Sequence, residues 1–172
     1  YDYFYQLLPD MKSIAFLHYE GEPNSEIQKN EFLLFFAQKG ITVHDVEVFS
    51  DEDLKKKLTA IISGVDMVYF SCDNPLIQHE KTINQIAAAF KKPVFSCAGS
   101  VVRRGGMLHI GADYRTVGRL TAVKAVQILN GAESLRTDVI ENPYIIINLK
   151  SAEELGIAVP DAITSAADEV IS

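Results

Sequence analysis

Short apolar runs alternate with helix-like segments along this chain, and this alternation limits its possible folds more than any other feature. The runs are KSIAFLHY, ITVHDVEVF, VDMVYFS, KPVFSC, MLHIGADY and, later, PYIIINLK. The segments between them carry apolar residues at helical spacing, the longest covering residues 114–130. Alternating strands and helices predict a parallel sheet covered by helices on both faces. We therefore predict an α/β fold, a doubly wound parallel sheet with flanking helices of the flavodoxin-like type.

Length and charge narrow the functional classes. The chain has 172 residues, enough for one domain with a proper core, and 48% of them are hydrophobic. Its formal net charge of −7 argues against nucleic acid as a partner, because phosphate binding needs basic patches. No apolar run approaches the roughly 18 residues of a membrane span. The sequence shows no signal peptide and begins with Tyr1, so we expect a mature segment or a fragment.

The residues that usually carry catalysis or bind metals show no recognisable motif. The four histidines lack the spacing of metal-binding helices, and we expect no metal site and no cofactor. Phosphate-binding and nucleophile-elbow motifs are also missing, so we expect no enzyme. Cys72 and Cys97 end neighbouring predicted strands, so we expect them to lie close together. We expect them not to be bonded, because parallel neighbours seldom provide the dihedral angle of a disulfide.

Polar residues stand where several predicted strands end. Asp73 and Asn74 follow VDMVYFS, whereas Glu22, Asn24 and Ser25 follow the first strand; Cys97 and Ala98 follow KPVFS, and Asp113 follows MLHIGA. In an open parallel sheet, ligands bind beyond the carboxyl ends of the strands. We therefore predict that these residues converge on one ligand-binding edge, with Asp73 as a ligand-facing group. The alternative is that they are ordinary helix caps, for which Asn, Asp and Ser are the preferred residue types.

Several longer stretches resemble a known family. GADYRTVGRLTAVKAVQILNGAESL and IIINLKSAEELGIAVPDAITSAADEVI closely resemble the end of the ABC-transporter substrate-binding family that includes the tryptophan- and tyrosine-type binding proteins. LLPDMKSIAFLHYEGEPNSE resembles the segment that opens their second half, and VDMVYFSCDN resembles their strand ending in Thr-Asp-Asn. The resemblance implies the two-lobed type I periplasmic-binding-protein fold, in which a small solute lies between the lobes. It further implies that residues 1–113 form the second lobe and that the first lobe is absent. Residues 114–172 would then supply a crossover helix, a returning strand and C-terminal helices.

The resemblance also carries ligand-facing positions onto this chain. Those implied by matching motifs are Glu22, Asn24, Ser25, Asp73, Asn74 and Asp113. Carboxylates can pair with the amine of an amino acid, and helix N-termini can hold its carboxylate. The chain departs from the family at Tyr19-Glu20-Gly21, where Asn-Pro-Ser is common, at Cys72, and at Ala98. We expect Tyr19 to offer a stacking surface and Ala98 to line the altered pocket.

The implied function is that of an extracytoplasmic solute-binding component of an ABC transporter. Such a protein would bind a small molecule such as an amino acid, aromatic ones included, and deliver it to the transporter permease. It would work in the periplasm or at the outer face of the cytoplasmic membrane, where a lipid anchor can hold it. The alternative is a ligand-sensing module of the same fold attached to a signalling partner. The helix at 114–130 is apolar on more than one face, so without a first lobe we expect the chain to form a homodimer or a rearranged monomer.

Overall fold

The computed structural model describes residues 1–140 and 142–172, whose strands and helices alternate along the chain. The strands are β1 (Ser13–Tyr19), β2 (Thr42–Val48), β3 (Met67–Phe70), β4 (Val94–Ser96), β5 (Leu108–Gly111), β6 (Tyr144–Asn148) and β7 (Glu169–Ile171). The helices are α1 (Asp2–Leu7), α2 (Pro23–Ala37), α3 (Asp51–Ile61), α4 (Asn74–Ile77), α5 (Glu80–Ala89), α6 (Gly99–Arg103), α7 (Tyr114–Leu129), α8 (Leu149–Leu155) and α9 (Asp161–Ala166). A 3-10 turn at Ile62–Gly64 follows α3.

The strands form one sheet in the order β2-β1-β3-β4-β5-β6-β7. Strands β1 to β5 are mutually parallel, which confirms the predicted α/β fold and its flavodoxin-like order. The sheet is mostly parallel: β6 pairs with β5 in the antiparallel direction, and β7 pairs with β6 in the parallel direction. Gly111 at the end of β5 lies opposite Tyr144 at the start of β6, so β6 begins beside the end of β5.

Each face of the sheet has its own apolar core, as a doubly wound fold requires. On one face α1, α2, α8 and α9 cover an aromatic-rich cluster that includes Phe16, Phe32, Phe36, Tyr69 and Phe95. On the other face α3, α4, α5 and α6 cover an aliphatic cluster whose members include Leu17, Leu54, Leu58, Phe70 and Ile83. Side chains of a strand alternate between faces, so Phe16 and Leu17 enter different clusters. The sheet is therefore buried on both sides through β1, β3 and β4.

Helix α8 begins three residues earlier than its sequence suggests. The pattern Ser151-x-x-Glu154 is typical of a capping box, but Asn148 at the end of β6 caps the helix instead, accepting a hydrogen bond from the backbone N–H of Ser151 at 3.0 Å. The Ser151 hydroxyl donates to the carbonyl of Gly105, 2.9 Å away. An asparagine at a strand end is an equally good cap, so the strand passes into the helix without a loop.

Helix α7 stands apart from both cores. None of its residues, Tyr114 to Leu129, is buried, and Leu129 is 84% exposed. Val123, Val126 and Ile128 are also more than half exposed, so the helix presents a run of apolar side chains to solvent. No helix among residues 1–140 and 142–172 combines the length and apolar character of a bilayer crossing.

Candidate functional site

The carboxyl ends of three central strands meet at one edge of the sheet. Leu17, Phe70 and Ser96 align across β1, β3 and β4, so the residues that follow them emerge side by side. We call residues 19–25, 71–74 and 97–98 the rim. All predicted site residues except Asp113 lie in the rim, and the order β1-β3-β4 is what brings these three chain segments together.

Asp73 organises the rim from beneath its surface. Its Oδ2 accepts hydrogen bonds from the Tyr19 backbone N–H at 2.9 Å, the Ser25 hydroxyl at 3.0 Å and the Ser71 hydroxyl at 2.8 Å. Its Oδ1 accepts from the backbone N–H of Leu76 at 2.6 Å, which caps α4. The carboxylate therefore links the end of β1, the first turn of α2 and the start of α4.

The sequence left two roles open for Asp73, a ligand-facing group or a helix cap, and its burial bears on both. Only 2% of the residue is exposed, and four protein donors already surround its two oxygens. This geometry is that of a cap and an organising group, so direct ligand contact by Asp73 stays a prediction. Ser25 is fully buried beside it. Among the other rim candidates, Asn24 and Asn74 are exposed while Tyr19, Glu22 and Ala98 are half-buried, so these five have surface to offer a ligand.

Tyr19 ends β1 with its ring anchored on the side of the rim nearest β2. The hydroxyl donates to the backbone carbonyl of Phe49, and the ring lies parallel to the His79 imidazole, with centroids 6.4 Å apart and planes 2° from parallel. The Nδ1 atom of His79 is 3.2 Å from Oδ1 of Asp51, which holds that imidazole in place. Tyr19 is thus a fixed aromatic wall, and its stacking on a ligand stays a prediction.

A disulfide crosses the rim between β3 and β4. Cys72 and Cys97 are close together as predicted, with Cα atoms 5.5 Å apart, but the expectation of unbonded thiols was wrong because the structure joins them. Their Cα separation lies within the range that disulfides require. Gln28 of α2 holds the chain next to this disulfide. Its side-chain oxygen accepts a hydrogen bond from the backbone N–H of Cys72 at 3.1 Å, and its side-chain amide donates one to the Tyr69 hydroxyl at 3.0 Å.

Asp113 follows β5 and is engaged at the start of α7. It caps α7 by accepting from the backbone N–H groups of Arg115 and Thr116, at 3.0 and 3.2 Å, and from the Thr116 hydroxyl at 2.6 Å. The Thr116 hydroxyl and the Arg115 N–H lower the pKa of this carboxyl. The structure therefore does not group Asp113 with Asp73 through any hydrogen bond among the described residues.

Asp113 instead lines a cavity of about 530 Å³ beyond β5. Its other lining residues are Gly99, Arg103, His109, Ala112, Tyr114, Arg115, Tyr144, Ile146 and Glu169. The guanidinium of Arg103 binds the Glu169 carboxylate through two contacts of 2.9 and 2.5 Å. That hydrogen bonding lowers the pKa of Glu169, whereas burial lowers the pKa of His109. Arg103 thus forms a two-contact ion pair with Glu169 at this cavity.

Several residues that shape the rim carried no signal in the sequence. Ser71 and Gln28 contribute to the Asp73 network and to the disulfide loop, but a serine before a cysteine and a glutamine inside a helix match no motif. Arg103, His109 and Tyr144 of the cavity come from three separate elements. The partner of Arg103, Glu169, lies in the last strand, which the sequence pattern did not reveal.

Comparison with solved structures supports this architecture. The structure matches the ABC domain of Streptococcus pneumoniae in complex with L-Trp with a TM-score of 0.90 and 30% sequence identity, covering 99% of this chain and 58% of that one. A conserved domain protein of Vibrio cholerae O1 biovar eltor gives a TM-score of 0.89 at 30% identity, covering 98% and 58%. A ligand-free, open substrate-binding protein of Clostridium difficile matches in fold, with a TM-score of 0.80 at 21% identity.

Comparison of sequences identifies the family. A curated tyrosine-binding protein of Clostridioides difficile (strain R20291) is 21% identical over 144 residues, which are 83% of this chain and 42% of that protein. The chain therefore spans about half the length of the relatives that it matches. The family described as "ABC transporter substrate binding protein" matches residues 2–171. Proteins of this family bind solutes and act outside the cytoplasm. From its second residue to its penultimate one, this chain belongs to the ABC transporter substrate-binding protein family.

Proposed function

We propose that this chain is the second lobe of a two-lobed solute-binding protein and that its rim forms one wall of a cleft for an aromatic amino acid. The observation that carries the proposal is the match to a solved structure with bound L-Trp over 99% of the chain. The tyrosine-binding relative supports the same ligand class. The solute would pass to the permease of an ABC transporter, outside the cytoplasmic membrane.

The rim offers groups that suit a zwitterion with an aromatic side chain. The N-terminus of α2 opens onto the rim at Glu22, whose side chain makes no capping bond among the described residues. Helix N-termini attract carboxylates, and the Glu22 carboxylate itself can pair with an ammonium group. The exposed amides of Asn24 and Asn74 add hydrogen-bonding capacity. The ring of Tyr19 supplies an apolar wall.

The apolar surface of α7 supports the presence of a second lobe. Its exposed residues include Val123, Val126, Ile128 and Leu129, and large exposed apolar patches mark interaction surfaces. A crossover helix that packs on the first lobe would bury them. We propose that residues 1–113 form the ligand-binding lobe, while residues 114–172 provide the crossover helix, the returning strand and the C-terminal helices.

Calorimetric titration of the full-length protein tests the proposal. We expect L-tryptophan or L-tyrosine to bind with micromolar or better affinity, and aliphatic amino acids to bind at least tenfold more weakly. Asn24→Ala and Asn74→Ala should each weaken binding about tenfold, because each removes a hydrogen bond to a charged ligand group worth about 1.5 kcal/mol. Both side chains are exposed, so the fold should be unaffected.

The matched control is Asn30→Ala, which removes an exposed amide from the same helix α2 away from the rim. It should bind like the unaltered protein. Failure of every aromatic amino acid to bind would overturn the ligand class. Wild-type affinity in both rim variants, with binding otherwise intact, would instead move the site away from the rim.

A further inference from the structure

His18 in β1 is a buried imidazole with one ring nitrogen committed to a carboxylate. The residue has no exposed surface, and its Nε2 lies 2.6 Å from Oδ1 of Asp45 in β2. An ionised carboxylate only accepts hydrogen bonds, so Nε2 must carry the proton in this contact. In the neutral imidazole the other nitrogen, Nδ1, then holds a free lone pair.

A carboxylate oxygen, which has no proton to donate, lies near this unpaired nitrogen. Nδ1 of His18 has no hydrogen-bond partner among residues 1–140 and 142–172. Oε1 of Glu26 in α2 lies 3.6 Å from it, and Glu47 of β2 stands opposite His18 in the strand register. One ligand atom from each of His18, Glu26 and Glu47 lies within 4.8 Å of the other two. A nitrogen lone pair and two carboxylates this close together are groups that can coordinate a cation.

The separation fits a shared metal ion better than a direct hydrogen bond. Nitrogen and oxygen ligands that are each about 2.1 Å from a tetrahedral zinc ion lie roughly 3.4 Å apart. The observed 3.6 Å between Nδ1 of His18 and Oε1 of Glu26 is close to that value and exceeds hydrogen-bond length. Asp45 occupies the position of the carboxylate that commonly orients a metal-bound histidine from its far side.

The local charge leaves room for a divalent cation. Glu26, Asp45 and Glu47 contribute three negative charges, and Lys29 contributes one positive charge. The Lys29 ammonium sits 2.8 Å from Oε1 of Glu26 and 3.1 Å from Oδ2 of Asp45. With a neutral His18 the cluster keeps two negative charges, which a divalent ion would cancel. The Glu26 side chain is 45% exposed and Glu47 is exposed, so an ion can reach the site from solvent.

We propose that His18, Glu26 and Glu47 bind a divalent transition-metal ion of the zinc type, with Asp45 orienting the imidazole. An imidazole nitrogen favours zinc-like ions over magnesium or calcium, and the exposed side leaves a fourth position for water. The three ligands come from β1, α2 and β2, which explains why histidine spacing in the sequence predicted no metal site. The metal would link α2 to strands β1 and β2 next to the rim.

The test is equilibrium dialysis of the protein against zinc chloride at neutral pH, with bound metal measured by atomic emission. We expect one zinc per chain. Glu47→Gln should weaken binding at least tenfold, and since Glu47 is exposed this change should leave the fold intact. Asp45→Asn should weaken it by about 10- to 100-fold, as for other groups that orient a metal ligand. Cobalt in place of zinc should give the visible absorption of a tetrahedral site.

Glu31→Gln is the matched control, because it neutralises an exposed acid on the same helix as Glu26 without touching the cluster. It should bind zinc like the unaltered protein. Failure of the unaltered protein to bind zinc would overturn the proposal. Zinc binding that is equally strong in Glu47→Gln and Glu31→Gln would overturn it as well.

Discussion

Removing the Asp73 carboxylate should destabilise the protein far more than removing an ordinary helix cap. In Asp73→Ala four donors lose their acceptor. The Ser25 and Ser71 hydroxyls lie 3.3 Å apart and can turn toward each other, whereas the N–H groups of Tyr19 and Leu76 are left without a partner. A buried donor without a partner costs about 1–3 kcal/mol, so we expect a loss of about 4 kcal/mol in the free energy of unfolding.

Urea unfolding followed by circular dichroism measures this difference. The internal standard is Ser50→Ala, which removes a cap accepting one hydrogen bond, from the Asp53 N–H at 3.1 Å, and should cost about 1 kcal/mol. Asp73→Asn keeps one oxygen acceptor and should fall between the two variants. For a chain of this length, 4 kcal/mol corresponds to a decrease in Tm of about 8–16 °C.

Two results would refute this reasoning about Asp73. If Asp73→Ala loses no more stability than Ser50→Ala, the carboxylate is only a cap and the network contributes nothing. If stability is unchanged while the full-length protein loses affinity for the proposed amino-acid ligand, Asp73 contacts the ligand directly, as predicted from the sequence.

Three further predictions concern the disulfide, an acid–base pair and the exposed helix. A thiol assay under denaturing, non-reducing conditions should detect no free thiol at Cys72 or Cys97, and two reactive thiols would refute the bond. Reducing the bond should lower the free energy of unfolding by about 3 kcal/mol, because it closes a loop with a sequence separation of 25. Hydrogen bonding to Arg103 lowers the folded-state pKa of Glu169 below its ordinary value of 4.5, so its contribution is present above pH 4.5 and is lost as pH falls through the folded pKa. Glu169→Gln should therefore be less stable than the unaltered chain at neutral pH but not in acid, and a pH-independent gap between their unfolding curves would contradict this. Sedimentation of the 172-residue chain should show a dimer that Val126→Lys with Leu129→Lys converts to a monomer, whereas a monomeric unaltered chain would show that α7 does not drive association.

The fold followed from the sequence where local pattern and burial agree. The runs at residues 12–19 and 65–71 contain the uninterrupted apolar segments IAFL and MVYF, and each became a central strand buried on both faces. The direction of β6 could not be predicted, because nothing in PYIIINLK distinguishes a parallel from an antiparallel strand. Strand β7 was missed because its three residues, Glu169–Ile171, are too few to show a period.

The candidate site was predictable only as a location. Strand order placed Tyr19, Asp73 and Ala98 at one edge, as expected from the rule that parallel strands end together. The sequence could not say that Asp73 would turn inward, because its burial depends on Ser25 from a distant segment. Asp113 follows a strand in the same way, but its carboxylate is used at the start of α7. Position along a strand predicts the edge on which a residue lies, and three-dimensional packing decides what the residue contacts there.

The pairing of Gly111 with Tyr144 has a consequence for the evolution and engineering of this chain. The chain leaves β5 after Gly111 and enters β6 at Tyr144, and these two residues pair directly across the antiparallel ladder. Such an excursion can be lengthened, shortened or exchanged without shifting the register of any strand. A hairpin turn grafted between β5 and β6 would therefore yield a minimal version of this sheet without α7, and the same junction would accept an inserted reporter domain.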